Sequence, residues 1–205
     1  MRNKSITAIE HDIEEKAKAI LADFKEFTTG VRFLSLLHRS KDGGHNKEYH
    51  RRGGFYVCHS TEDYLDALIR LLILKEVSSK PYRLYASVNA RSLAKAEKQF
   101  KMEMLEADFS PEDNKHFFYE RLESGWVGAL MKPGSRTGSL FMIDIDGEGD
   151  VTAEPLKWLA AHDIQPIKQY KTPNGWHIIT PPFNPTEYPK ELGEVKKDGL
   201  ILLDY

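Results

Sequence analysis

The sequence predicts an α+β fold in which a helix-rich N-terminal part packs against a mixed or antiparallel sheet. Three observations predict it. Apolar residues recur at three- and four-residue steps through most of the first 132 positions, the spacing of amphipathic helices. After about residue 137 the pattern changes to short apolar strands and a hairpin turn. The 205 residues, 40% apolar and 29% charged, suit one globular unit over 1–205. Within it, 1–137 forms a helix-rich α/β lobe and 138–205 a second lobe.

Ile9, Ile13, Ala17, Ile20, Phe24 and Phe27 line one stripe of a helix from Thr7 to Phe27. Thr7 and Glu10 have capping-box spacing, and Gly30 marks the stop. Val31–His38 and Gly54–Cys58 read as strands, joined by a polar, glycine-containing loop with a basic surplus. Ser60 opens a helix to Lys75, Arg83–Val88 is a strand, and Ser92 opens a helix to Glu106. Ser110-Pro111 starts one more helix, serine as cap and proline at the first position, running to Pro133-Gly134.

In the C-terminal part Ser139–Ile145 is an apolar strand ending in carboxylates, and Thr152 caps a helix to His162. Gln165–Tyr170 and Trp176–Thr180 flank the turn Thr172-Pro173-Asn174-Gly175, whose Asn-Gly pair signals a hairpin. Four prolines make 180–189 a loop, and Leu200–Tyr205 is the last strand. The order β-α-β-β-β implies one sheet holding all four strands.

Composition excludes several classes. A net charge of −2 rules out general electrostatic coating of nucleic acid, so binding there needs a local patch. A single cysteine excludes an internal disulfide framework and a Cys-rich zinc site. His38, His45, His50 and His59 cluster in sequence but lack the spacing of a metal-binding helical pair. With no apolar run long enough to span a bilayer and no secretory h-region, a cytoplasmic chain without membrane contact is expected.

The chemistry concentrates in three short stretches. In Ile143-Asp144-Ile145-Asp146-Gly147, strand alternation puts Asp144 and Asp146 on one face, about 7 Å apart along the strand. Such a pair can grip a hard divalent cation; without one, the two charges repel. Read alone, Asp146-Gly147 is equally the start of a turn. In Gly175-Trp176-His177, His177 shares a face with Ile179, beside a glycine turn whose exposed amides suit a phosphate. Leu203-Asp204 offers a third carboxylate after an apolar strand.

The order of these parts resembles the archaeo-eukaryotic primase superfamily, in particular the primase-polymerase domains of phage and plasmid replication proteins. Asp144-Ile145-Asp146, Gly175-Trp176-His177 and Leu203-Asp204 carry the resemblance, with Thr172-Pro173-Asn174-Gly175 similar to the lead-in before that histidine. It covers 138–205 and implies a primase-polymerase-like fold with an RRM-like catalytic lobe. It also implies a metal-dependent nucleotidyltransferase that extends a primer or template-bound initiator. Asp144, Asp146 and Asp204 would hold Mg²⁺ or Mn²⁺, and His177 would meet the phosphates of a nucleoside triphosphate. The implied partners are single-stranded DNA and a helicase or replication initiator.

Residue chemistry adds candidates around that core. Lys171 and Asn174 adjoin the hairpin turn, and Arg91 follows a strand end; all three are candidate nucleotide contacts. Arg39, Lys41, Arg51 and Arg52, in or beside the basic loop, could follow a nucleic-acid backbone. Two other readings compete. The same fold could serve as a catalytically inactive nucleic-acid-binding module. Met142-Ile143-Asp144-Ile145-Asp146-Gly147 also resembles the first motif of haloacid-dehalogenase-like phosphatases, although no matching later lysine and Gly-Asp pairing follows it.

Overall fold

A computed structural model describes residues 6–38 and 51–205. Along these the chain forms α1 (Ile6–Asp23), β1 (Arg32–His38), β2 (Arg51–Cys58), α2 (Thr61–Val77), β3 (Arg83–Ser87) and α3 (Leu93–Asp108). It continues through α4 (Glu112–Tyr119), α5 (Leu122–Met131), β4 (Phe141–Asp146), α6 (Ala153–Ala161) and β5 (Lys168–Thr172). The last elements are β6 (Gly175–Thr180), β7 (Glu194–Lys196) and β8 (Leu200–Asp204). The fold is mixed α+β, with two four-stranded antiparallel sheets ordered β2-β1-β3-β8 and β5-β6-β4-β7. No helix among the described residues is long and apolar enough to cross a membrane.

Helices α1 and α2 cover one face of the first sheet. The stripe Ile13, Ala17, Ile20, Phe24 and Phe27 is buried as expected, against Leu34, Leu36, Leu84, Ala86, Ile201 and Leu203 from the strands. Each fully buried leucine contributes about 1.5–3 kcal/mol of transfer free energy. The helix itself stops at Asp23, and a 3-10 turn over Lys25–Phe27 delivers Phe27 to the core. It begins at Ile6, so Thr7 lies inside it rather than at its cap. Ser60 and Ser92 do cap α2 and α3, their hydroxyls accepting from the amides of Asp63 and Lys95.

The single helix expected after Ser110 is instead two. Ser110 donates back to the Glu106 carbonyl, Pro111 takes the cap position, and Arg121 leaves helical geometry between α4 and α5. The break lets Phe118 and Trp126 both pack on Phe100, with ring centroids 6.0 and 5.7 Å away.

The second sheet packs Ile143, Ile145 and Ile178 against Leu159 of α6. Its opposite face meets the first core through Met142 and Ile179. The hairpin turn centres on Pro173-Asn174, with Thr172 opposite Gly175, one step earlier than an Asn-Gly turn would place it. Gly175 is required by a close approach: a Cβ there would lie 1.9 Å from the Ile145 carbonyl oxygen of β4.

Two strands depart from the expected single C-terminal sheet. The three-residue β7 lies in a stretch, between the 180–189 loop and the last strand, to which the sequence assigns no element, and it pairs with β4. The last strand, β8, pairs with β3 in the first sheet, so it ties 200–204 to the N-terminal lobe.

Candidate functional site

The inward faces of the two sheets enclose a cleft of about 550 Å³. That lies within the roughly 300–1,000 Å³ range of small-molecule sites. Leu37, Arg83, Tyr85, Leu200 and Leu202 line it from the first sheet. Asp144, Asp146, His177, Glu194 and Lys196 line it from the second, with Thr172, Pro173 and Asn174 at the turn.

Strand register assembles the polar wall. Residues directly opposite in antiparallel strands point to the same side. His177 on β6 and Glu194 on β7 both stand opposite Asp144, and Tyr170 on β5 stands opposite His177. The row Tyr170–His177–Asp144–Glu194 therefore crosses the whole sheet. Asp146 follows Asp144 on the same face, as alternation predicts.

Hydrogen bonds link the row. His177 Nε2 lies 3.1 Å from Asp144 Oδ1, and Lys196 Nζ contacts Asp144 Oδ2 and Glu194 Oε2. Behind His177, the Tyr170 hydroxyl is 2.7 Å from Nδ1 and accepts the Leu202 amide at 3.1 Å. The His177 bond holds the Asp144 carboxyl well below the usual carboxylate range; burial opposes this, and Lys196 adds to it. Burial works against the Lys196 charge, yet Asp144 and Glu194 together raise its pKa. Burial drives the Tyr170 hydroxyl far above the usual phenol value, so it stays protonated.

The cleft gathers Asp144, Asp146, His177 and Asn174 from the sequence-derived candidates. It does not gather Asp204. That residue stands opposite Leu84, whose side chain is in the helix-side core, because the β3–β8 pairing shifts register between Leu84 and Tyr85. The Asp204 carboxylate consequently turns to the helices and binds Lys16 of α1 at 2.8 Å and Lys75 of α2 at 2.6 Å. Glu194 is the acid that joins Asp144 and Asp146.

Two basic candidates are also placed elsewhere. The Arg91 guanidinium is fully buried, outside the cleft lining, and makes a forked pair with Asp198 at 2.8 and 3.1 Å. Lys171 stands opposite Trp176 on the other face of the hairpin from Tyr170, exposed beside Gly147, Glu148 and Gly149. Arg39 and Lys41 lie outside the described residues. Arg51 and Arg52 open β2 opposite His38 and Leu37.

Tyr170, Glu194, Lys196, Arg83 and Tyr85 escaped the sequence reading. Tyr170 was within reach: counting back from a Pro173-Asn174 turn puts it opposite His177. The alternation Glu194-Val195-Lys196 is a strand signal too short to stand out beside a proline-rich segment.

No known family model matches the chain, and no curated protein or solved structure matches it either.

Proposed function

We propose that this protein is a metal-dependent nucleotidyltransferase of the primase-polymerase type, acting on nucleoside triphosphates and a single-stranded DNA template. The observation that carries the reading is the grouping of Asp144, Asp146 and Glu194 with His177 in one cleft between two sheets. All three acids offer hard oxygen donors, the chemistry that Mg²⁺ and Mn²⁺ select. Among the described residues no three such side chains are drawn around one point as they stand. Lys196 instead supplies the positive charge beside Asp144. If a divalent cation took over this role, Asp144, Asp146 and Glu194 would be its holders. A bound dication would lower the pKa of an attacking hydroxyl and offset charge on leaving pyrophosphate.

The chain's own groups have distinct tasks in this reading. Asp144 would be one of the cation's holders, in exchange for its present partners Lys196 and His177. His177 Nε2–H would then be available to a phosphate oxygen, and Lys196, now paired with Asp144 and Glu194, would add positive charge. Arg83 and Tyr85 face these groups from the opposite sheet, where a nucleotide filling the cleft would meet them.

The test combines purified protein, Mn²⁺, labelled nucleotides and a single-stranded template. Extension should occur, vanish in Asp144→Ala and Asp146→Ala, and persist in Asp204→Asn, whose carboxylate faces the helices. Equal product from Asp144→Ala would overturn the reading. One observation favours a second reading: both Asp144 oxygens are engaged in the resting chain. A non-catalytic nucleic-acid-binding module would keep such a closed site, and its single-strand binding would survive chelation and Asp144→Ala.

A further inference from the structure

The Tyr170 hydroxyl joins the two sheets at the back of the cleft. It accepts the amide of Leu202 on β8 and lies against His177 Nδ1 on β6. A phenol oxygen has one proton to give. Its donor partner Leu202 cannot receive that proton, and among the described residues Nδ1 is the acceptor that its hydrogen bonds supply. The chain of donors therefore runs in one direction, from Leu202 N–H to Tyr170 oxygen, from Tyr170 O–H to His177 Nδ1, and from His177 Nε2–H to Asp144 Oδ1.

We infer that Tyr170 is a positioning residue that locks His177 in the Nε2–H tautomer, so that the imidazole presents an N–H donor to anions in the cleft. In the resting chain that anion is the Asp144 carboxylate. Resting on the proposed function, the other anion this donor would serve is a phosphate oxygen of the nucleoside triphosphate. The ring is fixed as well as the proton. Tyr170 packs edge-on against Phe24 at 5.3 Å and against the His177 ring at 5.2 Å, so its hydroxyl has little room to swing.

An asymmetry makes this testable. Asp144 would also favour a proton on Nε2, simply as an acceptor. If Tyr170 is the lock, the tautomer survives loss of Asp144 and goes only when the Tyr170 hydroxyl is lost too; if Asp144 is the lock, it does not survive loss of Asp144. The full chain labelled with ¹⁵N-histidine reads this directly through two-bond ¹H–¹⁵N correlations at about pH 8, above the ordinary imidazole range. Loss of a signal in His177→Gln assigns the ring among the eight histidines.

The wild type and Asp144→Ala should both show the Nε2–H pattern, and the double variant Asp144→Ala with Tyr170→Phe should show mixed tautomers. A wild-type Nδ1–H pattern, a mixture in Asp144→Ala, or an unchanged pattern in the double variant would overturn the lock. Should the double variant fail to fold, the Asp144→Ala spectrum still decides. In nucleotide incorporation, Tyr170→Phe should raise KM for the triphosphate roughly tenfold, with a smaller change in kcat. Unchanged KM would overturn the phosphate role. A wild-type chain with the expected tautomer and no polymerase activity would reject the proposed function and leave the lock intact.

Discussion

His177 and Asp144 stand directly opposite one another on neighbouring strands, and the Nε2–Oδ1 contact of 3.1 Å closes a polar row across the second sheet. This pairing makes Asp144 the most strongly held acid of the cleft. It also means that any ligand calling on Asp144 must compete with His177 and Lys196.

That competition has a measurable size. Replacing Lys196 by methionine removes the ammonium from Asp144 and Glu194. Such a partly exposed ion pair is worth on the order of 1 kcal/mol. Mn²⁺ affinity, followed by electron paramagnetic resonance, should therefore tighten about fivefold. Weaker Mn²⁺ binding would mean that Lys196 is not the competitor.

The lowered pKa of Asp144 links the site to acid stability. The folded-state value lies below the ordinary 3.8, so the contribution is fully present above that value. It is lost as pH falls below 3.8 toward the folded-state pKa. Urea midpoints should fall more steeply on acidification in the wild type than in Asp144→Asn. Parallel curves would contradict the assignment.

Asp198 is expected to matter more for folding than for chemistry. Its carboxylate is the partner of the wholly buried Arg91 guanidinium. Asp198→Ala leaves that charge unpaired, which typically costs about 3–5 kcal/mol. Denaturant unfolding would reveal it, and a loss below about 1 kcal/mol would show that Arg91 finds another partner or water.

Two glycines give opposite outcomes on substitution by alanine. At Gly175 the added Cβ would meet the Ile145 carbonyl at 1.9 Å, so the β4–β6 pairing has to open. The loss should reach about 3 kcal/mol or more. At exposed Gly128 in α5 an added Cβ would meet none of the described residues beyond its own helix within 4 Å. Gly128→Ala should raise stability by about 0.5–1 kcal/mol. Thermal unfolding of both variants checks the contrast.

Much of this molecule was legible in local patterns. Three- and four-residue spacing located α1, α2 and α3, and Ser60 and Ser92 marked two of their starts. Alternation put Asp144 and Asp146 on one side of β4, and the turn residues brought His177 to the neighbouring strand. These features depend on backbone geometry over a few residues, which periodicity encodes. The break at Arg121 was not legible, because it serves the packing of Phe118 and Trp126 around Phe100.

Which distant strand each residue would meet was written nowhere in those patterns. Leu200–Asp204 had the composition of a strand but joined β3 instead of the sheet that holds Asp144. One register shift then turned Asp204 toward Lys16 and Lys75, and the short β7 brought Glu194 to the cleft in its place. Face and spacing are local properties of a chain, whereas partner and register follow from how whole sheets bury their apolar sides. That burial is why the acid beside Asp144 and Asp146 is Glu194.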